Sequence, residues 1–538
     1  MRTSDRHCFH FAVANGARLA LIGAVGLRFL VMDDVAAAEA QGSDSGTEVT
    51  RPAADAQAAP LTELKRPALQ VGSTARFNED WSVLRGVDLA TTGDFLDRLK
   101  FIPLTGDGSV WLSLGGQARA RVEYFRHYLF GASEPKDTDA YLLTRFRLLA
   151  DLHVTQYFRA FAEFKSSMEL DRQLEGKATP AYVDQTDLLN AFGDLVLPLS
   201  EQVSLTFRGG RQELLFGSQR MVGPGDFSQD PKTFDGGAAY VRAGDWAITG
   251  FWGMFVPIVH KYSFNTSTID QQLFGIFATR PIEALGRPPA SGFLRPLSAQ
   301  TDARNDAWPS GEIDFYWLGV ANTSATFNGT HGHELRQTLG ARAKGMIGQT
   351  NFDFDVEVAG QFGSVGSGSI AAGMTSAVLG YTPPILSRLA PRLYLEFDYA
   401  SGDKNPGGNV NTYNQLYPDA HSFLGYIDYI GRQNVISPSG GVIISPVRDL
   451  TVSLQQYFFW RASDRDAVYN KVGGVLRHGT GSSANYVGAE LDILADYSIT
   501  RHLNTYAGWS RFFPGQFIRE TGPSQTSDFF YFAFQYTF

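Results

Sequence analysis

The chain has 538 residues, 43% hydrophobic and 19% charged, with a net charge of −9 and one cysteine. No apolar run reaches the roughly 18 residues a membrane helix needs, and the acidic balance weighs against a nucleic-acid partner. Cys8 falls in an N-terminal segment expected to be removed, which leaves no disulfide framework and no thiolate metal site. Aromatic residues make up 13%, with 40 Phe and 22 Tyr beside 56 Gly. That mixture suits many strands joined by tight turns and girdled by aromatic rings.

Arg2, Arg6 and Arg18 precede an apolar stretch, Leu19 to Val31, that is too short to span a bilayer and is interrupted by Arg28. Ala38-Glu39-Ala40 then sets small residues before Gln41, so 1–40 reads as a secretory signal, with a soluble N-terminal helix as the other reading. Residues 41–75 are rich in Ala, Gly, Ser, Asp and Pro and are predicted to be a disordered linker. Residues 76–108 carry Trp81, Leu84, Phe95, Leu96 and Leu99. They predict a short periplasmic N-terminal segment or a plug near the mouth of a barrel.

From Ser109 onward the chain alternates. Leu112, Leu114, Ala118, Ala120 and Val122 share one face of an extended strand, and Ser113, Gln117, Arg119, Arg121 and Glu123 share the other. Leu142, Phe146, Leu148 and Leu152 oppose Arg145, Arg147 and Asp151, and Phe158, Ala160, Ala162 and Phe164 oppose Arg159, Glu163 and Lys165. LRQTLGARAK, FDFDVEVAGQF, RLYLEFDYA and GAELDILADYSI repeat the rule. The sequence ends on DFFYFAFQYTF, where Phe530, Phe532, Phe534, Tyr536 and Phe538 form one aromatic row. In a soluble sheet that row would be an adhesive edge. In a closed membrane barrel it faces lipid and no edge remains.

The fold class expected is therefore all-β, a transmembrane antiparallel β-barrel over 109–538 with 18 strands. The strands fall near 109–130, 139–153, 155–168, 186–197, 203–215, 233–243, 246–258, 271–280, 311–323, 333–347, 351–363, 369–382, 391–401, 432–445, 449–461, 485–499, 502–513 and 528–538. Alternation from Ser109 makes the periplasmic turns short, among them 200–202, 244–245, 348–350 and 500–501, and the outer loops 169–185, 216–232, 402–431, 462–484 and 514–527 long. One connection, 281–310, is long, Pro-rich and on the periplasmic side. It is either a genuine inward segment or a sign that the register slips by one strand.

No catalytic signature is present: no HExxH, GxSxG, Walker A loop or CxxC. The chain is read as no enzyme, with no cofactor and no metal. His331 and His333 read as a solvated loop pair, and Asp403, Asn405 and Asn409 as a polar turn rather than a calcium loop. What remains is charge on the lumen-facing side. Arg119, Arg121, Arg145, Arg147, Arg159 and Arg208 come from the first five strands, with Arg336, Arg342 and Lys344 from the tenth and Arg461 from the fifteenth. Asp353, Asp355, Glu357, Glu396, Asp398, Glu490 and Asp492 come from the second half. A barrel would set a basic wall opposite an acidic one, a lumen that selects by charge and whose guanidinium forks suit carboxylates. Mutual pairing of these charges, merely filling the lumen, is the alternative.

Two segments, RGGRQELLFGSQRMVGPGDFSQDPKTFDG (208–236) and FDYASGDKNPGGNVNTYNQLYPDAHSFLGYIDYIGRQN (397–434), resemble the alginate export family of outer-membrane proteins. FWRASDRDAVYNKVG (459–473) and GAELDILADYSI (488–499) fit as well. The resemblance implies an 18-stranded porin-like barrel, passing an anionic polyuronate through an Arg-rich constriction. It implies outer-membrane lipid as surroundings and a periplasmic secretion scaffold as a candidate partner, with the chain acting as a monomer. Uptake of small organic anions or hydrophobic compounds is the alternative. Alginate exporters close the inner mouth with a long turn before the penultimate strand. Here that turn is only Thr500-Arg501, which points to 281–310 or 76–108 for any closure.

Overall fold

In a computed structural model the described residues are 75–89, 92–176, 182–260, 262–282, 311–348, 350–386 and 388–538. The expected signal at 1–40, the linker up to residue 74 and residues 283–310 lie outside them. The barrel strands are β1 (Val110–Arg126), β2 (Asp139–Val154), β3 (Phe158–Leu170), β4 (Asp184–Pro198), β5 (Val203–Gln212), β6 (Phe234–Ala243), β7 (Trp246–Phe255), β8 (Gln271–Pro281) and β9 (Glu312–Phe327). They continue as β10 (Thr330–Met346), β11 (Phe352–Val365), β12 (Gly368–Tyr381), β13 (Arg392–Ala400), β14 (Val435–Val447), β15 (Leu450–Trp460), β16 (Tyr486–Ser498), β17 (Leu503–Pro514) and β18 (Ser527–Thr537). Each pairs antiparallel with the next, and β1 pairs with β18 from Gln117↔Thr537 to Arg126↔Asp528, closing the barrel.

Burial is inverted relative to a soluble sheet. On β2, Leu148 is 60% exposed while its neighbour Arg147 is 1% exposed. On β18 the Phe530, Phe532, Phe534 and Tyr536 rings are exposed, and Phe529, Tyr531, Ala533, Gln535 and Thr537 are buried. In water this pattern would cost free energy at every step. In a bilayer the apolar row meets acyl chains and the charged row meets the lumen. Close packing on the inner wall also uses glycine: the Tyr531 ring lies over Gly508, where an added Cβ would stand 2.4 Å from it.

The strands match the expected spans in number and order. β8 and β9 pair without a shift from Gln271↔Asn322 to Pro281↔Glu312. The long 281–310 connection therefore marks no slip of register, and the strand order holds on both sides of it.

The departure lies in two loops expected outside the barrel. Residues 213–233 and 401–434 turn inward and fill the lumen. A barrel this wide is not filled by strand side chains alone. Both loops carry apolar groups that need cover: Leu214, Met221, Val222 and Phe227 in the first, and Tyr413, Leu424, Tyr426, Ile427, Tyr429 and Ile430 in the second are all buried. The loops also pair with each other. Val222 bridges Tyr417, the Gly223 N–H donates to the Tyr417 carbonyl at 2.9 Å, and the Asp419 N–H donates to the Gln219 carbonyl at 2.9 Å.

Candidate functional site: a charged strap across the lumen

Alternation on β1 and β2 puts Arg119, Arg121, Arg145 and Arg147 on one luminal patch, because Arg119 sits opposite Arg145 and Gln117 opposite Arg147. Four like charges on adjacent strands repel unless something anionic joins them. Glu123 of β1 supplies it for Arg121, at 2.6 Å, and the inward loop supplies it for the others. Asp226 Oδ1 accepts from Arg145 Nη2 and from Arg147 Nη2, both at 2.9 Å. The Asp226 carbonyl accepts from Arg119 Nη1 at 3.0 Å and from Arg145 Nη1 at 2.9 Å. Arg119 Nη2 also donates to Gln229 Oε1 at 2.7 Å, and Arg121 donates to the Phe227 carbonyl at 2.5 Å while lying 3.9 Å over its ring. Burial alone would raise the Asp226 carboxyl, but Arg145, Arg147 and Arg119 outweigh it and hold it below the usual range.

The same loop carries the opposite charge to the opposite wall. Arg220 Nη1 reaches Asp355 at 3.3 Å and Glu357 at 3.1 Å on β11, and Ser218 Oγ donates to Glu357 at 2.8 Å. Between Arg220 and Asp226 the chain reverses at Gly225, whose φ of +78° is in the left-handed region that glycine adopts without strain. Arg432, from the second loop, pairs with Asp398 at 3.0 Å on β13. The strap thus presents a carboxylate to the basic wall and guanidinium groups to the acidic wall.

The other expected site residues lie around this strap. Arg159 forks onto Asp151 at 2.7 and 2.9 Å, and Arg208 onto Asp194 at 2.7 and 2.8 Å, on β3 and β5 and nearer the short-turn end than the cage formed by Arg119, Arg121, Arg145 and Arg147. Arg336 pairs with Glu334 at 2.6 Å and donates to Gln361, and Arg342 forks onto Asp355 at 2.9 and 2.7 Å and reaches Asp314 at 3.0 Å. Asp353 is held by Arg392 at 2.6 Å. Glu490 Oε1 accepts the Ile427 N–H of the second loop at 2.8 Å, and Glu396 and Asp492 are buried beside Asp398 and Glu490. Arg461 stands apart: it ties down the outer loop by donating to the carbonyls of Asp464, Asp466, Ser482 and Ala484, with Phe517 beneath it at 3.9 Å.

The cage residues Arg119, Arg121, Arg145 and Arg147 are brought together. Arg336, Arg342 and Arg461 are separate from them. Mutual pairing, weighed as the alternative for each charge, holds for most of the guanidinium groups, yet Arg147 Nε and Nη1 are buried with no protein partner among the described residues. Asp226, Arg220 and Arg432 escape a reading of strands alone. All three lie in the segments that carry the family resemblance, and that was the available signal.

No curated protein matches the sequence. Among solved structures, Pseudomonas aeruginosa OccK2 (OpdF) is 13% identical, with 81% of this chain and 98% of that chain covered at a TM-score of 0.51. The same protein in complex with glucuronate is 12% identical, with 81% and 99% covered at a TM-score of 0.49. At 13% identity the first likeness is one of fold alone. The family model described as alginate export matches residues 110–532. With the closed barrel and its inverted burial, this match settles the assignment: the chain belongs to the alginate export family of outer-membrane proteins.

Proposed function

We propose that this outer-membrane channel passes an anionic polysaccharide, an alginate-like polyuronate, whose carboxylates move along the basic wall of Arg119, Arg121, Arg145, Arg147, Arg159 and Arg208. The observation that carries the reading is the docked Asp226 carboxylate, which accepts from guanidinium groups of two neighbouring luminal residues of β2 at 2.9 Å each. A uronate carboxylate presents the same two oxygens and the same charge. Arg159 and Arg208 continue the basic surface toward the short-turn end, so a polymer would find successive partners rather than one deep trap. Across the lumen Asp353, Asp355, Glu357 and Asp398 already have Arg392, Arg342, Arg220 and Arg432 as partners, so a carboxylate meets its partners on the basic wall.

The test is ion selectivity in planar bilayers. Open channels are expected to favour anions, and Arg145→Ala with Arg147→Ala is expected to lower that preference. Unchanged selectivity in the double variant would count against the reading. The cage seats one carboxylate, so it also fits a small organic anion taken up from outside. Blocking of chloride current by oligouronates that lengthens with chain length favours the polymer, and block by monomeric carboxylates alone favours uptake.

A further inference from the structure

Residues 76–89 and 92–103 hold three short 3-10 turns, Arg76–Asn78, Ser82–Leu84 and Phe95–Leu99, and the two-residue strand Ile102–Pro103. They dock on the short-turn end of the barrel at three places. Ile102 and Pro103 pair with Leu112 and Trp111 of β1, continuing the ladder below Gln117, where pairing with β18 leaves off. This is strand addition to a free stretch of sheet edge.

The second place is inside the barrel. Arg76 donates from Nη1 to the Gly116 carbonyl and from Nη2 to the Phe538 main-chain oxygen, both at 2.8 Å, while Nε pairs with Glu79 at 2.8 Å. The approach needs Gly115, since a Cβ there would stand 3.0 Å from Arg76 Nη2 and 2.8 Å from Lys100 Nζ. Phe77 then sets its ring edge-on to Phe161 and Phe192, at 6.0 and 5.6 Å between centroids, with Arg208 over it at 5.0 Å. The Phe77 carbonyl accepts from Arg159 Nη2 at 2.6 Å. Two lower residues of the basic wall are thereby covered by this segment.

The third place is the turn between β16 and β17. Arg501 Nη1 pairs with Asp94 at 2.6 Å and Asp97 at 3.0 Å, and His502 Nε2 lies 2.8 Å from Asp94. Lys100 Nζ donates to the Leu114 carbonyl at 3.0 Å and lies 5.1 Å from the Trp81 ring centre. Burial, with Arg76 alongside, pushes its ammonium down to about 7, as expected of a group held away from water.

We propose that residues 76–89 and 92–103 form a stopper seated in the periplasmic mouth, with an inner anchor at Arg76 and Phe77 and an outer ionic latch of Asp94 and Asp97 on Arg501. A solute moving along the basic wall must displace Phe77 from Arg159 and Arg208. The latch is partly exposed, so it is the weaker and more salt-sensitive hold. The inner anchor is buried and sets the resting position.

The test uses the full chain with Cys8→Ser and a reporter, Ser113→Cys, on the luminal face of β1, where Ser113 is 1% exposed. A charged, water-soluble maleimide is added to protein in detergent, and the labelling rate is followed. Labelling is expected to be slow in the reporter chain and to rise several-fold with Arg76→Ala plus Phe77→Ser. It is expected to rise also with Arg501→Glu, and to fall again when Asp94→Arg restores an opposite charge to that turn. Heat-modifiable migration checks that each barrel is folded. Labelling at the reporter's own rate in every folded variant overturns the proposal. Should the inner-anchor variant fail to fold, the Arg501→Glu variant and its rescue decide alone. No solute enters this test, so its failure leaves the polyuronate reading standing.

Discussion

Asp226→Asn removes one charge and almost no volume from the centre of the strap. In the wild-type chain Oδ1 accepts two charge-assisted hydrogen bonds, from Arg145 and Arg147, and both guanidinium groups are fully buried. Breaking a buried pair by removing one partner costs about 3–5 kcal/mol. The asparagine keeps one carbonyl oxygen, and the main-chain bonds from Arg119 and Arg145 to the Asp226 carbonyl remain. The loss is therefore at the low end, about 3 kcal/mol. At tenfold per 1.4 kcal/mol, the ratio of strap-in to strap-out states falls about a hundredfold. Single-channel recording of the reconstituted protein reads this as a rise in open probability. Heat-modifiable migration and a strand-type circular dichroism spectrum establish that the variant is folded. An open probability unchanged from wild type in a folded Asp226→Asn barrel would refute the idea that this carboxylate holds the strap.

The same geometry sets other expectations. Arg220→Gln releases the strap from Asp355 and Glu357 on the acidic wall, and bilayer recording should show opening in the same direction as Asp226→Asn. The two changes together should be less than additive if both act on one strap. Acid should open the channel as well. The docked Asp226 carboxyl lies below its usual range, so its contribution to closure is present above about pH 4 and is lost as pH falls through the docked value. This acid response should shrink in Asp226→Asn, as measured by open probability across a pH series. On the outer surface, Leu148 is 60% exposed on the lipid side of β2. Leu148→Arg should lower barrel stability by about 2–4 kcal/mol in reversible unfolding from liposomes, and Leu148→Phe should change it little.

Much of the barrel was legible because its signal is local. Leu142, Phe146, Leu148 and Leu152 against Arg145, Arg147 and Asp151 give the face of β2 without knowledge of any partner strand. Short turns such as Gly244-Asp245 fix direction. The inward course of 213–233 was not legible for the opposite reason. What draws it in is the approach of Asp226 to Arg145 and Arg147, far away in sequence and brought close only by closure. Its cue was the cluster Met221, Val222 and Phe227, apolar residues in a stretch otherwise read as an outer loop. The arginines of β1 and β2 do point to the lumen as alternation predicts. Their occupancy was not legible, since alternation says where a side chain points and nothing about what meets it there. In the N-terminal stretch, Trp81 and Leu84 announced burial somewhere, whereas Phe95 of the same stretch is exposed. Only the pairing of Ile102 with Leu112 and the reach of Arg76 to Gly116 say where.

The proposed passage of carboxylates along the basic wall requires the channel to sort sugars by charge. The sharpest test is entry of fluorescent oligosaccharides into proteoliposomes holding the Asp226→Asn channel, comparing an oligouronate with a neutral oligosaccharide of equal length. The oligouronate is expected to enter faster, and to lose that advantage when Arg145 and Arg147 are both changed to Ala. Equal entry of the two sugars, or an advantage for the neutral one, would contradict a carboxylate-selective wall.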